Sequence, residues 1–167
     1  MTEKDILSSI LNTNISAVDV AKYFLSKANR EGDLVTNLKM QKLLYYAQAW
    51  YLVNYNAPLF KEPIRPWALG PVIKEVYDEF KNFGSAPIDY KSTGQESNIF
   101  SKKQKQFLDE FYDIFFKFTA HELVNMSHNE SPWKDAFEKR SSEISLDAIK
   151  RYYTHLLETS QKNAKKR

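Results

Sequence analysis

Apolar residues recur along most of this chain at helical spacing, and one stretch departs from that rule by being apolar on every side. Residues Thr36 to Tyr55 read TNLKMQKLLYYAQAWYLVNY, and from Leu43 to Val53 only Gln48 is strongly polar. A helix on a protein surface shows an apolar stripe, whereas one without a polar face is enclosed by other elements. Thr36 suits an N-cap, and no Gly or Pro interrupts the chain before Asn56-Ala57-Pro58. The stretch therefore predicts a buried central helix about 30 Å long. It is too rich in Tyr and Gln to cross a membrane. Gln41, Tyr45 and Gln48 fall at i, i+4 and i+7 on it and share one face. A buried amide without a partner costs about 1–3 kcal/mol. This seam is expected to tie the helix to its neighbours; the alternative is a cleft that takes a partner or ligand.

The flanking segments carry one-sided patterns. Glu3 to Leu11 predicts a short amphipathic turn or helix using Ile6, Leu7 and Ile10. Ser16 caps the next helix, where Ala17, Val20, Ala21, Phe24, Leu25 and Ala28 match the helical template as far as about Asn29. Beyond the central helix, NAPLFKEPIRPWALGP holds four prolines in sixteen residues. Proline removes a donor and disfavours helix at the residue before it, so an ordered loop with a short extended piece is expected. Pro71 is expected in the first turn of a helix from Val72 to Phe83, stopped by Gly84. Ser85 to Ile99 is the least helical part, with room for a small hairpin about Ser92-Thr93-Gly94. Ser101 opens a helix to about Phe118, and Thr119 with Glu122 resembles a capping box for Ala120 to Met126. Ser131-Pro132-Trp133 restarts a helix and Ser145 caps the last one. The prediction is a mainly α protein: one compact multi-helix domain around a buried central helix, with a small β-hairpin. Residues 1–15 form a lead segment, 16–158 the helical domain and 159–167 a basic tail.

Composition narrows the function classes. The 167 residues suit one domain, and 14% aromatic content points to a core of packed rings. The 24 basic and 21 acidic residues leave a formal charge of +3, which does not demand nucleic acid. Positive charge clusters only at Lys162, Lys165, Lys166 and Arg167, so a nucleic-acid-associated regulator is the reading the charge favours least. There is no cysteine, hence no disulfide, thiolate nucleophile or sulfur-ligated zinc. MTEKDILSSIL is too polar for a signal peptide, and a cytoplasmic location is expected.

Enzyme signatures are sparse. No glycine-rich phosphate loop and no GxSxG elbow occurs, and no cofactor is expected. His121, His128 and His155 match no metal-ligand spacing, so capping or packing is expected and no metal is assigned. Asp78-Glu79, Asp109-Glu110 and Asp113 read as solvated helix charges. Lys39 and Lys42 stand in apolar surroundings near the start of the central helix. They either snorkel past the core or reach a partner's anionic group. Trp50, Trp67 and Trp133 read as core anchors, with Trp67 the best candidate for an interaction surface because its proline-rich loop belongs outside.

Several blocks together resemble a known family. They are DVAKYFL from Asp19, LKMQKLLYYA from Leu38, Pro58-Leu59-Phe60, and Trp67-Ala68-Leu69-Gly70-Pro71-Val72 followed by Val76-Tyr77. Ser127-His128 then Ser131-Pro132-Trp133 completes the set. In this order they resemble the Panacea domain of SocA-like antitoxins and phage-associated GepA-like proteins, over roughly residues 18–153. Where that family usually has Ala before the tryptophan of the Gly-Pro-Val turn, this chain has Pro66. The resemblance implies an antitoxin that neutralises a toxin, encoded by a neighbouring gene, through direct protein–protein binding. At least one type of member is an adaptor that delivers its toxin to a protease. It implies no enzyme. The alternative function is an enzyme or small-ligand binder that reverses a toxin's chemistry in a cleft near Gln41, Tyr45, Gln48 and His128. Taken together, the candidate partner contacts are Lys39, Lys42, Arg65, Trp67, His128 and Trp133. The motif positions with a structural role are Gln41, Leu43, Tyr45, Tyr46, Gln48, Trp50, Gly70, Pro71, Val72, Tyr77 and Pro132.

Overall fold

The computed structural model describes residues 14–166, so the reading of Glu3–Leu11 lies outside the described residues. Helix α1, Ala17–Glu31, begins at a capping box: the Ser16 hydroxyl accepts from the Asp19 N–H, and the Asp19 carboxylate accepts from the Ser16 N–H. It runs two residues past the expected end and stops at Gly32 in the left-handed conformation. Helix α2, Asn37–Tyr55, starts at the Thr36 cap and ends at Asn56, whose φ is 53°. Every residue from Met40 to Ala49 is buried, more than two full turns without a solvent face. That is the enclosed central helix.

The small sheet forms in the proline-rich loop rather than at Ser92-Thr93-Gly94. Strands β1, Arg65–Trp67, and β2, Gly70–Val72, pair antiparallel, with Arg65 opposite Val72, Pro66 opposite Pro71 and Trp67 opposite Gly70. Antiparallel pairs alternate between bonded and non-bonded, and the two prolines, having no N–H, share the middle pair where no donor is required. Pro71 is thus a strand residue, which corrects its expected place in a helix. That helix, α3, starts later, at Lys74, and runs to Phe80 before a tighter 3₁₀ turn over Lys81–Phe83. Around Ser92 the chain instead folds onto Glu96, whose carboxylate accepts from the Thr93 N–H at 2.7 Å and the Ser92 and Tyr90 hydroxyls. Those bonds close a loop and leave no ladder.

Helix α4, Lys102–Phe115, and helix α5, Ala120–His128, both open on capping boxes, at Ser101 with Gln104 and at the expected Thr119 with Glu122. Phe118 falls in the turn between them, beyond the end of α4. Helix α6, Ser131–Glu138, takes Glu130 as its N-cap, so Ser131 is its first residue rather than its cap. Helix α7, Leu146–Lys165, starts at the Ser145 cap and continues as helix through most of the segment read as a tail. The molecule is mainly α. Around α2 the ring packing is continuous: Tyr46 stacks on Phe115, Phe115 on Phe111 at 4.4 Å, and Phe111 on Phe24. No helix among the described residues is long and apolar enough to cross a membrane.

Candidate functional site

Side chains from α2 hold the backbone of the loop and hairpin that follow it. The Gln48 amide oxygen accepts from the Leu59 N–H at 2.7 Å, and its nitrogen donates to the Phe60 carbonyl at 2.8 Å. Seven residues earlier, the Gln41 oxygen accepts from the Ile73 N–H at 2.9 Å, while its nitrogen donates to Asn37. Both amides are buried and engaged, so the cleft of the alternative reading does not form at them. Tyr45, between them, is buried too, and its hydroxyl has no hydrogen-bond partner among the described residues. Burial holds that phenol well above its ordinary pKa, with the Glu130 charge adding to the shift.

Lys42 is placed differently from both of its sequence readings. It is 0% exposed, and its side-chain nitrogen donates to the Pro71 carbonyl at 2.9 Å. It neither snorkels nor presents a charge at the surface. Helical rotation turns it inward from α2, and desolvation lowers its pKa to about 7. Gly70 lies directly on it. With φ at +109°, a Cβ there would stand 2.7 Å from Lys42 Cε and 2.9 Å from the buried Ser127 Oγ. Only glycine fits this crossing. Lys39, one turn back, is half-buried and donates to the Phe116 carbonyl at 2.7 Å, away from the hairpin.

On the outer side of the hairpin the remaining candidates come together. The Trp133 indole N–H donates to the Trp67 carbonyl at 2.8 Å. His128 stacks on Trp133 at 4.2 Å, and Phe137 stacks on Trp133 at 4.8 Å. Trp67 meets Tyr77 edge-on at 5.1 Å. Arg65, two residues along the same strand and therefore on the same face as Trp67, adds its charge to those that hold the Asp78 carboxyl low; the Lys74 hydrogen bond is the largest of them. Three apolar side chains on these elements face solvent: Leu69 at the hairpin tip is 60% exposed, Phe137 43% and Tyr77 38%. Trp133 itself is buried and supports the face from beneath, as does Pro132.

Sequence reasoning missed three members of this region. Leu69 passed as part of a motif, and neither Phe137 nor Glu130 was given a part in a binding face. The Glu130 carboxylate is buried and accepts from the Tyr46 and Tyr153 hydroxyls. Burial raises its pKa, against the pull of the two phenols. An acid at a helix N-cap just before Ser-Pro-Trp was the available signal, but its tyrosine partners lie 84 and 23 residues away. Trp50 is partly buried and lines a groove of about 370 Å³ with Phe107, Phe111, Ile114 and Phe115, on α2 and α4. Among the described residues no three His, Asp or Glu side chains gather as metal ligands.

Comparison with known proteins bears on this arrangement. Antitoxin SocA of Caulobacter vibrioides (strain NA1000 / CB15N) is 29% identical over 130 residues, which cover 72% of this chain and 69% of that protein. No solved structure matches. The profile of the family described as "Antitoxin SocA-like, Panacea domain" matches residues 40–134, which contain α2 from Met40 onward, the hairpin, α5 and the start of α6. That match spans more than half of the 167 residues, and the chain belongs to the SocA-like antitoxin family with a Panacea domain.

Proposed function

We propose that this protein is an antitoxin that neutralises its toxin by binding it directly, through the face built on the β1–β2 hairpin. Family membership supports an antitoxin role and, in general terms, a toxin partner. The observation that carries the binding face is the exposed, rigidly backed apolar set of Leu69, Tyr77 and Phe137 around half-buried Trp67. Aromatic residues fixed by packing lose little freedom on docking, which is why they anchor protein interfaces. Arg65 and His128 stand at the same face as polar contacts, whereas Lys42 acts from beneath and Lys39 serves the core. The role is regulatory rather than enzymatic: the buried amides and phenols around α2 hold the fold.

The test is co-expression with the product of the neighbouring gene. Wild-type protein should restore growth and co-purify with that product. Leu69→Asp and Trp67→Ala should each weaken the complex about tenfold or more and reduce rescue. Growth restored without any physical complex would overturn direct binding. A shortened toxin half-life that depends on a host protease would place this protein among the adaptors.

A further inference from the structure

The hairpin is joined to α2 by an unusual contact. Lys42 is enclosed, its nitrogen meets one backbone carbonyl, and no carboxylate among the described residues forms an ion pair with it. The charged groups on the elements around it are engaged elsewhere or turned outward. On α2, Lys39 goes to Phe116. On α3, Asp78 pairs with Lys74 at 2.5 Å. On α5, the Glu122 carboxylate closes the Thr119 capping box and His121 meets Asn125, while His128 lies flat on Trp133. Glu130, the N-cap of α6, is held by Tyr46 and by Tyr153 of α7. Arg65 of β1 stands near Asp78. A charged amine in such a place loses its hydration without gaining a counter-charge, which favours the neutral form.

The same amine is what the hairpin rests on. Among the described residues Pro71 is its only hydrogen-bond partner, and Gly70 sits against its methylenes. We propose that Lys42 is a proton-sensitive latch: the neutral amine seats the β1–β2 hairpin on α2, and protonation lifts the hairpin so that the ammonium reaches water. The device turns on the geometry of one side chain beneath one turn, and the lowered pKa of about 7 places it in the neutral range. If the hairpin carries the docking face, toxin binding weakens as pH falls through neutrality; that consequence rests on the antitoxin reading, whereas the latch does not.

The latch is tested on the full-length protein alone. Two donors report the seating: the Ile73 amide, bonded to Gln41, and the Trp133 indole, bonded to the Trp67 carbonyl. Their hydrogen-exchange protection factors should rise roughly fifty-fold between pH 7 and pH 9 and stay nearly flat below pH 6, as expected when a lysine that is normal in the open state is depressed in the closed one. In Lys42→Met the protection should not vary with pH. NMR titration of isotope-labelled lysine side chains should place Lys42 near 7. A Lys42 titrating above 9, or the same pH profile in Lys42→Met, would overturn the latch. Should Lys42→Met not fold, the lysine titration decides alone.

Discussion

Two sets of contacts around α2 work by different physics. In one, Tyr46, Tyr51, Phe107, Phe111, Phe115 and Phe24 pack ring against ring. Such contacts are strong in sum but weakly directional, so they fix which helices are neighbours without fixing any single backbone atom. In the other, Gln41, Lys42 and Gln48 reach named N–H and C=O groups of the loop and hairpin. Those bonds specify position to a fraction of an ångström. The aromatic set builds the body, and the polar set aims the face that we assign to the partner.

That contrast can be broken experimentally. The largest effect belongs to Gly70→Ala, which introduces a Cβ into the Lys42 contact at a φ that L-residues avoid. It should cost about 4 kcal/mol in urea unfolding, from strain and overpacking together. Gln48→Ala leaves the Leu59 N–H and Phe60 carbonyl buried without a partner. A loss of about 3 kcal/mol is expected, with the loop's amides exchanging faster. Phe111→Leu, in the aromatic layer, should cost only about 1 kcal/mol because rings nearby repack. Equal costs for Gln48→Ala and Phe111→Leu would erase the proposed difference between the two sets of contacts.

The smallest effect concerns Glu130, the acid counterpart of Lys42. Its folded-state pKa is raised by burial, so the stability tied to it is fully present below the ordinary carboxylate value and declines as pH rises from there. Lys42, depressed instead, adds stability as pH rises from about 7 toward its unfolded value. The two contributions therefore have opposite signs with pH. Glu130→Gln should remove the decline in unfolding free energy that sets in above the ordinary carboxylate range; a pH profile identical to wild type would show that Glu130 carries no such stability.

How much of this was readable beforehand follows the same division. Caps at Ser16, Thr36, Ser101, Thr119 and Ser145 were legible because each is a local match of hydroxyl to backbone N–H, settled within four residues. The enclosure of α2 was legible because an unbroken apolar run has no solvent face to offer. The hairpin was misplaced because its stabilising partners, Lys42 and Gln41, lie 29 and 32 residues from Pro71 and Ile73, and proline spacing alone reads as loop. Lys42 was misread for a related reason. Its type says surface, and only the third dimension turns it under Gly70. Arg65, Trp67, His128 and Trp133 were named separately, but nothing local joins strand and helix across the 66 residues between Trp67 and Trp133.

The tryptophans give the molecule a built-in optical readout. Two of the three, Trp67 and Trp133, meet at the hairpin through a hydrogen bond, and the third, Trp50, sits in the groove between α2 and α4 beside Tyr153. With Trp50 replaced by Phe, all indole emission would originate at the hairpin. A partner that dries that face would shift the spectrum without any attached dye.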